Sequence, residues 1–265
     1  MQETVCLGPR LHLVASFVPE HAKLGDIGTD HAYLPIFLRE QQKIAQAIAV
    51  DVHEGPYQSA RAAIHTRGLD GRIDVRFGDG LKPIQPGEVD TLTLAGMGGN
   101  TMLEIFKARP SVMSQVNSLI LQPQGAEGKV RKTLLNSGWL LQDERLITEE
   151  GRIYSVMVYS RQRGKSFQAL EELKEKWLQR LKINSKEFIE IHQAFERVFW
   201  EFGPLILEQP VSELECLIQE QNEPLQRAIK EIRKSQKEEI RLKIHQQEIT
   251  CSLLKEMTKC LFPSV

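Results

Sequence analysis

The residues of this chain best suited to chemistry lie between Lys23 and Pro35, where an apolar run meets Asp26, Gly28, Thr29, Asp30, His31 and Tyr33 in quick succession. Gly28 lets the backbone approach a ligand where a β-carbon would obstruct it. The helix expected to follow turns its free N–H groups toward the same spot. Together they predict a cofactor seated in the turn. A dinucleotide fingerprint would put a second glycine where Asp30 stands, and a carboxylate is a poor neighbour for pyrophosphate. An acid there suits a positively charged cofactor, because opposite charges attract strongly in a partly desolvated cleft. The amino group and sulfonium of S-adenosylmethionine have that charge. Read more plainly, Asp30 is an N-cap for a helix starting at His31.

Further candidates recur wherever an apolar run ends. Ile44–Asp51 is a strand ending in an acid about 25 residues beyond Asp26, and an acid about 20 residues past such a turn commonly holds ribose hydroxyls. Gly55-Pro56 opens a helix to about Arg67, with proline near the first turn. Ile73–Phe77 runs into Gly78-Asp79-Gly80, where Asp79 can accept from an adenine amino group and the Gly80 N–H can donate to its ring, although the triplet is also a common turn. A fourth strand, Val89–Leu94, delivers Ala95-Gly96-Met97-Gly98-Gly99-Asn100, a loop open to backbone contact with a flat group or a tight strand-to-helix turn.

These motifs need a sheet to bring them together. Alternating strands and helices predict an α/β fold with a parallel sheet covered on both faces. Asn117–Gln122 is the fifth strand, followed by a helix over Glu127–Asn136. Trp139–Thr148 and Ile153–Tyr159 flank Glu149-Glu150-Gly151-Arg152, which reads as a hairpin. Seven strands ending in an antiparallel pair resemble the Rossmann-like class I methyltransferase sheet. That hairpin, like Asp30, excludes a hydride-transferring dehydrogenase.

In detail the sequence resembles the bacterial tRNA adenine(22)-N1 methyltransferase family (TrmK). The resemblance rests on Asp26-Ile-Gly-Thr-Asp-His-Ala-Tyr-Leu-Pro, Gly78-Asp-Gly-Leu, Ala95-Gly-Met-Gly-Gly and Leu121-Gln-Pro, and it extends from Gly8-Pro-Arg-Leu through Tyr159, then over Phe202-Gly-Pro-Leu-Ile-Leu-Glu and the helical tail. It implies that Asp26, Gly28, Asp51, Asp79 and Gly80 line an S-adenosylmethionine site, which Thr29, Asp30, His31, Val52, Gly78, Ala95, Gly96 and Met97 complete. It also implies that Arg10, His31, Tyr33, Met97, Gly98, Gly99 and Asn100 face the target base of a tRNA. The chain departs from the family pattern at Gln124, where asparagine is usual, and at Ser155, where glutamate is usual. It also departs in about thirty helix-like residues from Lys165 to Glu196.

Such a reaction demands little acid–base apparatus, because N1 of adenine already carries an in-plane lone pair. Positioning then dominates. N1 lies on the pairing edge, so the nucleotide must be unpaired or flipped, and Tyr33 is a candidate stacking face. A histidine in the first turn of a helix, such as His31, can polarise the base or simply bond at the surface. The alternative to an enzyme is a non-catalytic sensing or assembly module whose tail binds a partner.

With 41% hydrophobic and 26% charged residues, the 265-residue chain can bury an α/β core and a second, smaller unit. A formal net charge of −1 gives no global attraction for RNA, so any nucleic-acid surface must be local. Cys6, Cys216, Cys251 and Cys260 have neither disulfide nor zinc spacing, so no metal and a reducing compartment are expected. No apolar stretch is long enough to span a membrane and no signal pattern opens the chain, so a cytoplasmic protein is expected, as a monomer.

Strand signals vanish near Gln162, predicting a methyltransferase domain over 1–162 and a helical, coiled-coil-like domain over 163–265. Leu170, Leu173, Trp177 and Leu181 mark one helix. Asn184 with Glu187 reads as a capping box for the next, whose inner face carries Phe188, Ile191, Phe195 and Phe199. A helix after Pro210 meets Pro224, a kink candidate. In the last stretch Leu225, Ile229, Ile232, Ile240 and Ile244 read as one apolar stripe. Arg227, Lys230, Lys234, Lys237 and Arg241 recur on another face, as an RNA-backbone track or a solvated surface.

Overall fold

The strand-and-helix alternation is realised in a computed structural model, which describes residues 5–181, 188–232 and 238–263. The chain divides into two compact units, Met1–Ser166 and Phe167–Val265. Lys165 belongs to the first, because its backbone exchanges hydrogen bonds with Leu141.

In the first unit, α1 (Pro9–Phe17) precedes β1 (Ala22–Ile27), α2 (Tyr33–Glu40), β2 (Ile44–Asp51), α3 (Glu54–Thr66), β3 (Ile73–Phe77) and β4 (Thr91–Met97). Then come α4 (Gly99–Ala108), the short α5 (Pro110–Met113), β5 (Ser118–Pro123), α6 (Glu127–Asn136), β6 (Leu140–Glu149) and β7 (Arg152–Ser160). The strands form one seven-stranded sheet in the order β3-β2-β1-β4-β5-β7-β6. Pairing is parallel from β3 to β5, and β7 pairs antiparallel with both β5 and β6. Parallel strands covered on both faces need continuous apolar runs, and β5 is buried from Leu119 to Pro123.

β1 and β4 lie side by side but lead in opposite directions across the sheet. Their carboxyl ends open the crevice where ligands bind in such folds. Residues 78–90 join β3 to β4 without a helix. That loop is held by buried Leu81 and Ile84 and by two arginines. Arg76 donates to the Pro83 carbonyl at 2.7 Å and to both Glu88 oxygens at 2.7 and 2.9 Å. Arg109 donates to the carbonyls of Lys82 and Ile84 at 2.7 and 2.8 Å.

Two elements differ from the sequence expectation near the crevice. β4 runs on to Met97 instead of ending at Leu94, because a bulge between Ala95 and Met97 lets the strand keep pairing with β5. α2 begins at Tyr33, not His31, because Asp30 and Ala32 take left-handed conformations (φ 54° and 55°) that a helix cannot include.

The second unit holds α7 (Phe167–Arg180), α8 (Phe188–Phe202), α9 (Pro204–Leu207), α10 (Ser212–Ile232) and α11 (Glu238–Leu261). Leu170, Trp177 and Leu181 are buried and Leu173 is half-buried, as the spacing requires. Phe195 and Phe199 are buried with ring centroids 5.7 Å apart. The expected cap at Asn184 and Glu187 lies outside the described residues. α10 runs through Pro224. The supposed single stripe is two helices, with Ile229 of α10 and Ile244 of α11 in one cluster alongside Cys251 and Leu225. Side chains at three-to-four spacing on two packed helices look, in one dimension, like a single face.

Candidate active site

β1 ends by folding its own acid inward. Asp26 is buried, and its two oxygens accept from the Thr29 and Thr93 hydroxyls, each at 2.6 Å. Burial pushes the Asp26 carboxyl above its ordinary range, the two hydroxyls oppose that shift, and nearby Asp51 adds to it. Asp26 therefore shapes the turn from inside, through Thr29.

The turn itself is tied to β2. Gly28 and Thr29 N–H both donate to the Val50 carbonyl, at 2.9 and 3.1 Å. Asp51, also buried, accepts from Asp30 N–H at 3.1 Å through Oδ2 and from His53 N–H at 2.9 Å through Oδ1. A carboxylate has about four acceptor positions, so two stay available to a ligand's hydroxyls. Beside it Val52 is 49% exposed, an apolar surface at the rim.

Gly28 has φ +75°, and a β-carbon there would fall 2.9 Å from Met97 Cε. The glycine turn and the end of β4 are thus in direct contact. Gly96, at the bulge, has φ +79° and is exposed. Gly98 precedes α4, and Gly99 N–H donates to the Gly125 carbonyl at 3.2 Å. Asn100 faces solvent and accepts from Lys129 Nζ at 2.7 Å.

On the other side, Gly78-Asp79-Gly80 follows β3. Gly80 is buried and the exposed Asp79 accepts from Lys82 at 2.7 Å. Phe77, which the sequence did not single out, is 52% exposed with its ring 5.6 Å from that of Tyr57. Asp30, His31 and Tyr33 project from the strained start of α2. The His31 and Tyr33 rings stack at 5.2 Å with Tyr33 48% exposed, and His31 Nε2 lies 3.6 Å from Asp30 Oδ1.

Arg10 enters from α1. Its guanidinium donates to Glu149 at 3.1 Å and to Gln122 at 2.8 Å, and lies 5.5 Å from the Tyr154 ring centroid. Gln122, Glu149 and Tyr154 were not anticipated as site residues. No local signal could reveal a partner 139 positions from Arg10. Of the departures from the family pattern, Gln124 N–H donates to the Met97 carbonyl at 2.9 Å. Ser155 accepts at 3.1 Å from Arg131, which is fully buried and paired with Glu144. Both residues thus have defined places in the unit.

The crevice gathers Gly28, Thr29, Asp51, Val52, Ala95, Gly96 and Met97 at adjoining strand ends, with Asp79 and Gly80 one strand further out. In the helical unit, Arg227 pairs with Glu223 at 2.8 Å on an exposed face, and Lys230 is exposed. Lys234 and Lys237 lie outside the described residues, as does the Arg241 side chain. Among the described residues, no group of three or more His, Cys, Asp or Glu side chains could hold a metal, and no helix is long and apolar enough to cross a membrane.

The first unit is similar to known methyltransferases. The tRNA (adenine(22)-N(1))-methyltransferase of Bacillus subtilis is 40% identical over 152 residues, covering 57% of this chain and 64% of that protein. This alignment therefore spans less than two thirds of the curated relative. Over longer spans, the crystal structure of the B. subtilis m1A22 tRNA methyltransferase TrmK superposes with a TM-score of 0.77 at 29% identity, covering 96% of this chain and 99% of that one. A Streptococcus pneumoniae structure in complex with S-adenosyl-L-methionine, a candidate tRNA (m1A22) methyltransferase, gives 0.72 at 30% identity over 94% of this chain and 97% of that one. A family model described as a methyltransferase domain matches residues 7–157, more than half of the chain. By that match and by its sheet order, the chain belongs to the methyltransferase-domain family.

Proposed function

We propose that this chain is an S-adenosylmethionine-dependent tRNA methyltransferase that methylates N1 of an adenine, the nucleotide at position 22. The observation that carries the reading is the contact of the Gly28 turn with Met97 at the switch between β1 and β4, beside a buried Asp51 with acceptor positions to spare. The names of the similar B. subtilis and S. pneumoniae proteins support the cofactor and the substrate.

The residues fit the donor. Asp51 would take the ribose hydroxyls, Val52 would cover one adenine face, and Asp79 with Gly80 N–H would meet the adenine edge. Asp30 and the glycine turn would receive the charged methionine end. When bound, S-adenosylmethionine supplies an electrophilic methyl group. Adenine N1 already exposes a lone pair at neutral pH, so the chain needs no strong base beside it. Its task is to unpair the nucleotide, hold N1 in line and keep water away. Tyr33, braced by the His31 ring, is the proposed stacking face. The bulge between Ala95 and Met97, followed by Gly98, Gly99 and Asn100 at the start of α4, would bring backbone close to a flat base.

In this reading the first unit, Met1–Ser166, is the methyltransferase domain, a boundary four residues beyond the one expected from the sequence, and the helices of the second unit grip RNA. Arg227 and Lys230 of α10 contribute there. The site of action is the cytoplasm, where tRNA is found. The alternative of a non-catalytic sensing module has no observation of its own in favour.

Incubating the full chain with unmodified tRNA and a labelled methyl donor, then digesting the RNA for mass spectrometry, tests the proposal. The expected product is 1-methyladenosine at position 22. A chain that binds the donor yet leaves every tRNA unmethylated would overturn it.

A further inference from the structure

The segment Gly8-Pro9-Arg10 is built around a carboxylate from the far end of the first unit. Glu149 Oε1 accepts the Arg10 backbone N–H at 3.1 Å, and Oε2 accepts Arg10 Nε–H at 3.1 Å. A β-carbon on Gly8 would lie 2.5 Å from Glu149 Oε1, so the carboxylate sits directly against the glycine. Glu149 thus sits at the N-terminus of the nine-residue α1, where free N–H groups and the helix dipole favour an anion.

The other end of the arginine is fixed as firmly. Nη1 donates to Gln122 Oε1 at 2.8 Å, while Gln122 Nε2 donates to the Pro123 carbonyl at 3.0 Å and the side chain is wholly buried. Those bonds fix which way the Gln122 amide faces. Arg10 Nη2, with its two N–H groups, has no partner among the described residues, and the side chain keeps 20% exposure. Nη1 stands 3.6 Å from where a β-carbon of Gly96 would be. The guanidinium therefore borders the open bulge whose next residue, Met97, touches the Gly28 turn.

We infer that Glu149 and Gln122 are positioning residues that aim Arg10 Nη2 at a hydrogen-bond acceptor of the nucleotide entering over Gly96. The inference rests on the methyltransferase reading above and adds to it the device that orients the target. Because Glu149 neutralises Arg10, the fork offers directed hydrogen bonds and little net charge. A lysine has no second, fixed nitrogen to bridge Glu149, Gln122 and a ligand together.

Steady-state methylation of tRNA by the full chain, with cofactor-product affinity by calorimetry and thermal melting alongside, tests this. Glu149→Ala is expected to lower kcat/KM for tRNA by about tenfold or more while affinity for S-adenosylhomocysteine stays within about twofold. Glu149→Gln, which keeps one acceptor, is expected to fall between Glu149→Ala and the wild type. Arg10→Lys is expected to be as impaired as Arg10→Ala. The double variant Arg10→Ala with Glu149→Ala is expected to be no worse than Arg10→Ala alone, because both act through one guanidinium. If Arg10→Ala lowers the salt slope of tRNA binding, by less than one because Glu149 already offsets the charge, the acceptor is a phosphate, whereas an unchanged slope assigns it to the base. Wild-type kinetics in folded Glu149→Ala and Glu149→Gln, or fully additive losses in the double variant, would overturn the inference. A wild-type chain inactive on tRNA would instead overturn the reading beneath it, and the inference with it.

Discussion

Asp30 N–H donates to Asp51 Oδ2 at 3.1 Å, so the turn after β1 and the acid that ends β2 form one hydrogen-bonded piece. His53 N–H occupies the other oxygen. Asp51→Ala would leave both N–H groups short of a partner, and an unsatisfied buried group costs about 1–3 kcal/mol. Cofactor binding should suffer more than folding, since the turn would lose its anchor and the ligand its acceptor together. We expect affinity for S-adenosylhomocysteine to fall by roughly 10- to 100-fold. Calorimetry on a variant shown to be folded by circular dichroism would check this.

Gly28 meets two constraints at once, a φ of +75° and the Met97 methyl 2.9 Å from any added β-carbon. Alanine is strained at such a φ and must also displace Met97. Gly28→Ala should destabilise the fold by about 1 kcal/mol or more and weaken the cofactor product strongly. Adding Met97→Ala removes the steric conflict but not the backbone strain. The double variant should therefore recover only part of the loss in melting temperature. Full recovery would show that contact, not conformation, is what requires glycine.

The sequence conveyed the fold well because its signals are local. Ile44–Asp51 and Ile73–Phe77 are apolar runs bounded by turn residues, and both strands have those bounds in the structure. The candidate residues at Asp51, Gly78-Asp79-Gly80 and Ala95-Gly96-Met97 are legible for the same reason, since each group stands where a strand ends. What escaped is what depends on the third dimension. The bulge at Gly96 extends β4 beyond Leu94 only because β5 lies beside it. Left-handed Asp30 and Ala32 delay α2 because backbone bonds to Val50 and Asp51 hold the turn open. Glu149 read as one residue of a hairpin turn, and nothing near it in sequence points to Arg10.

Loop 78–90 depends on Arg76, and that dependence should be visible in pH. The Arg76 hydrogen bond, with help from the Gln85 N–H, holds the Glu88 carboxyl at about 2, well below its ordinary 4.5. A depressed carboxyl stabilises the folded state above its unfolded pKa, and that contribution is lost as pH falls through the folded value. Glu88→Gln should therefore lower the melting temperature near neutrality, by no more than about 4 °C because the pair is partly solvated. The gap between variant and wild type should close as pH drops from about 4.5 toward 2. Melting curves across that range would test it, and a gap constant with pH would show that Arg76 is held by other means.

The helical unit makes the last test electrostatic. Lys230 is exposed, whereas Arg227 is already paired with Glu223 at 2.8 Å. A cation released from no acid partner displaces counterions from phosphate fully, while a paired one must first leave its carboxylate. If α10 lies along the tRNA backbone, Lys230→Ala should lower the slope of log affinity against log salt by up to about one. Arg227→Ala should lower it less, and Glu223→Ala should strengthen binding by freeing Arg227. None of the three should alter affinity for the cofactor product. Salt titrations of tRNA binding would read all three slopes, and unchanged slopes throughout would assign this face to solvent.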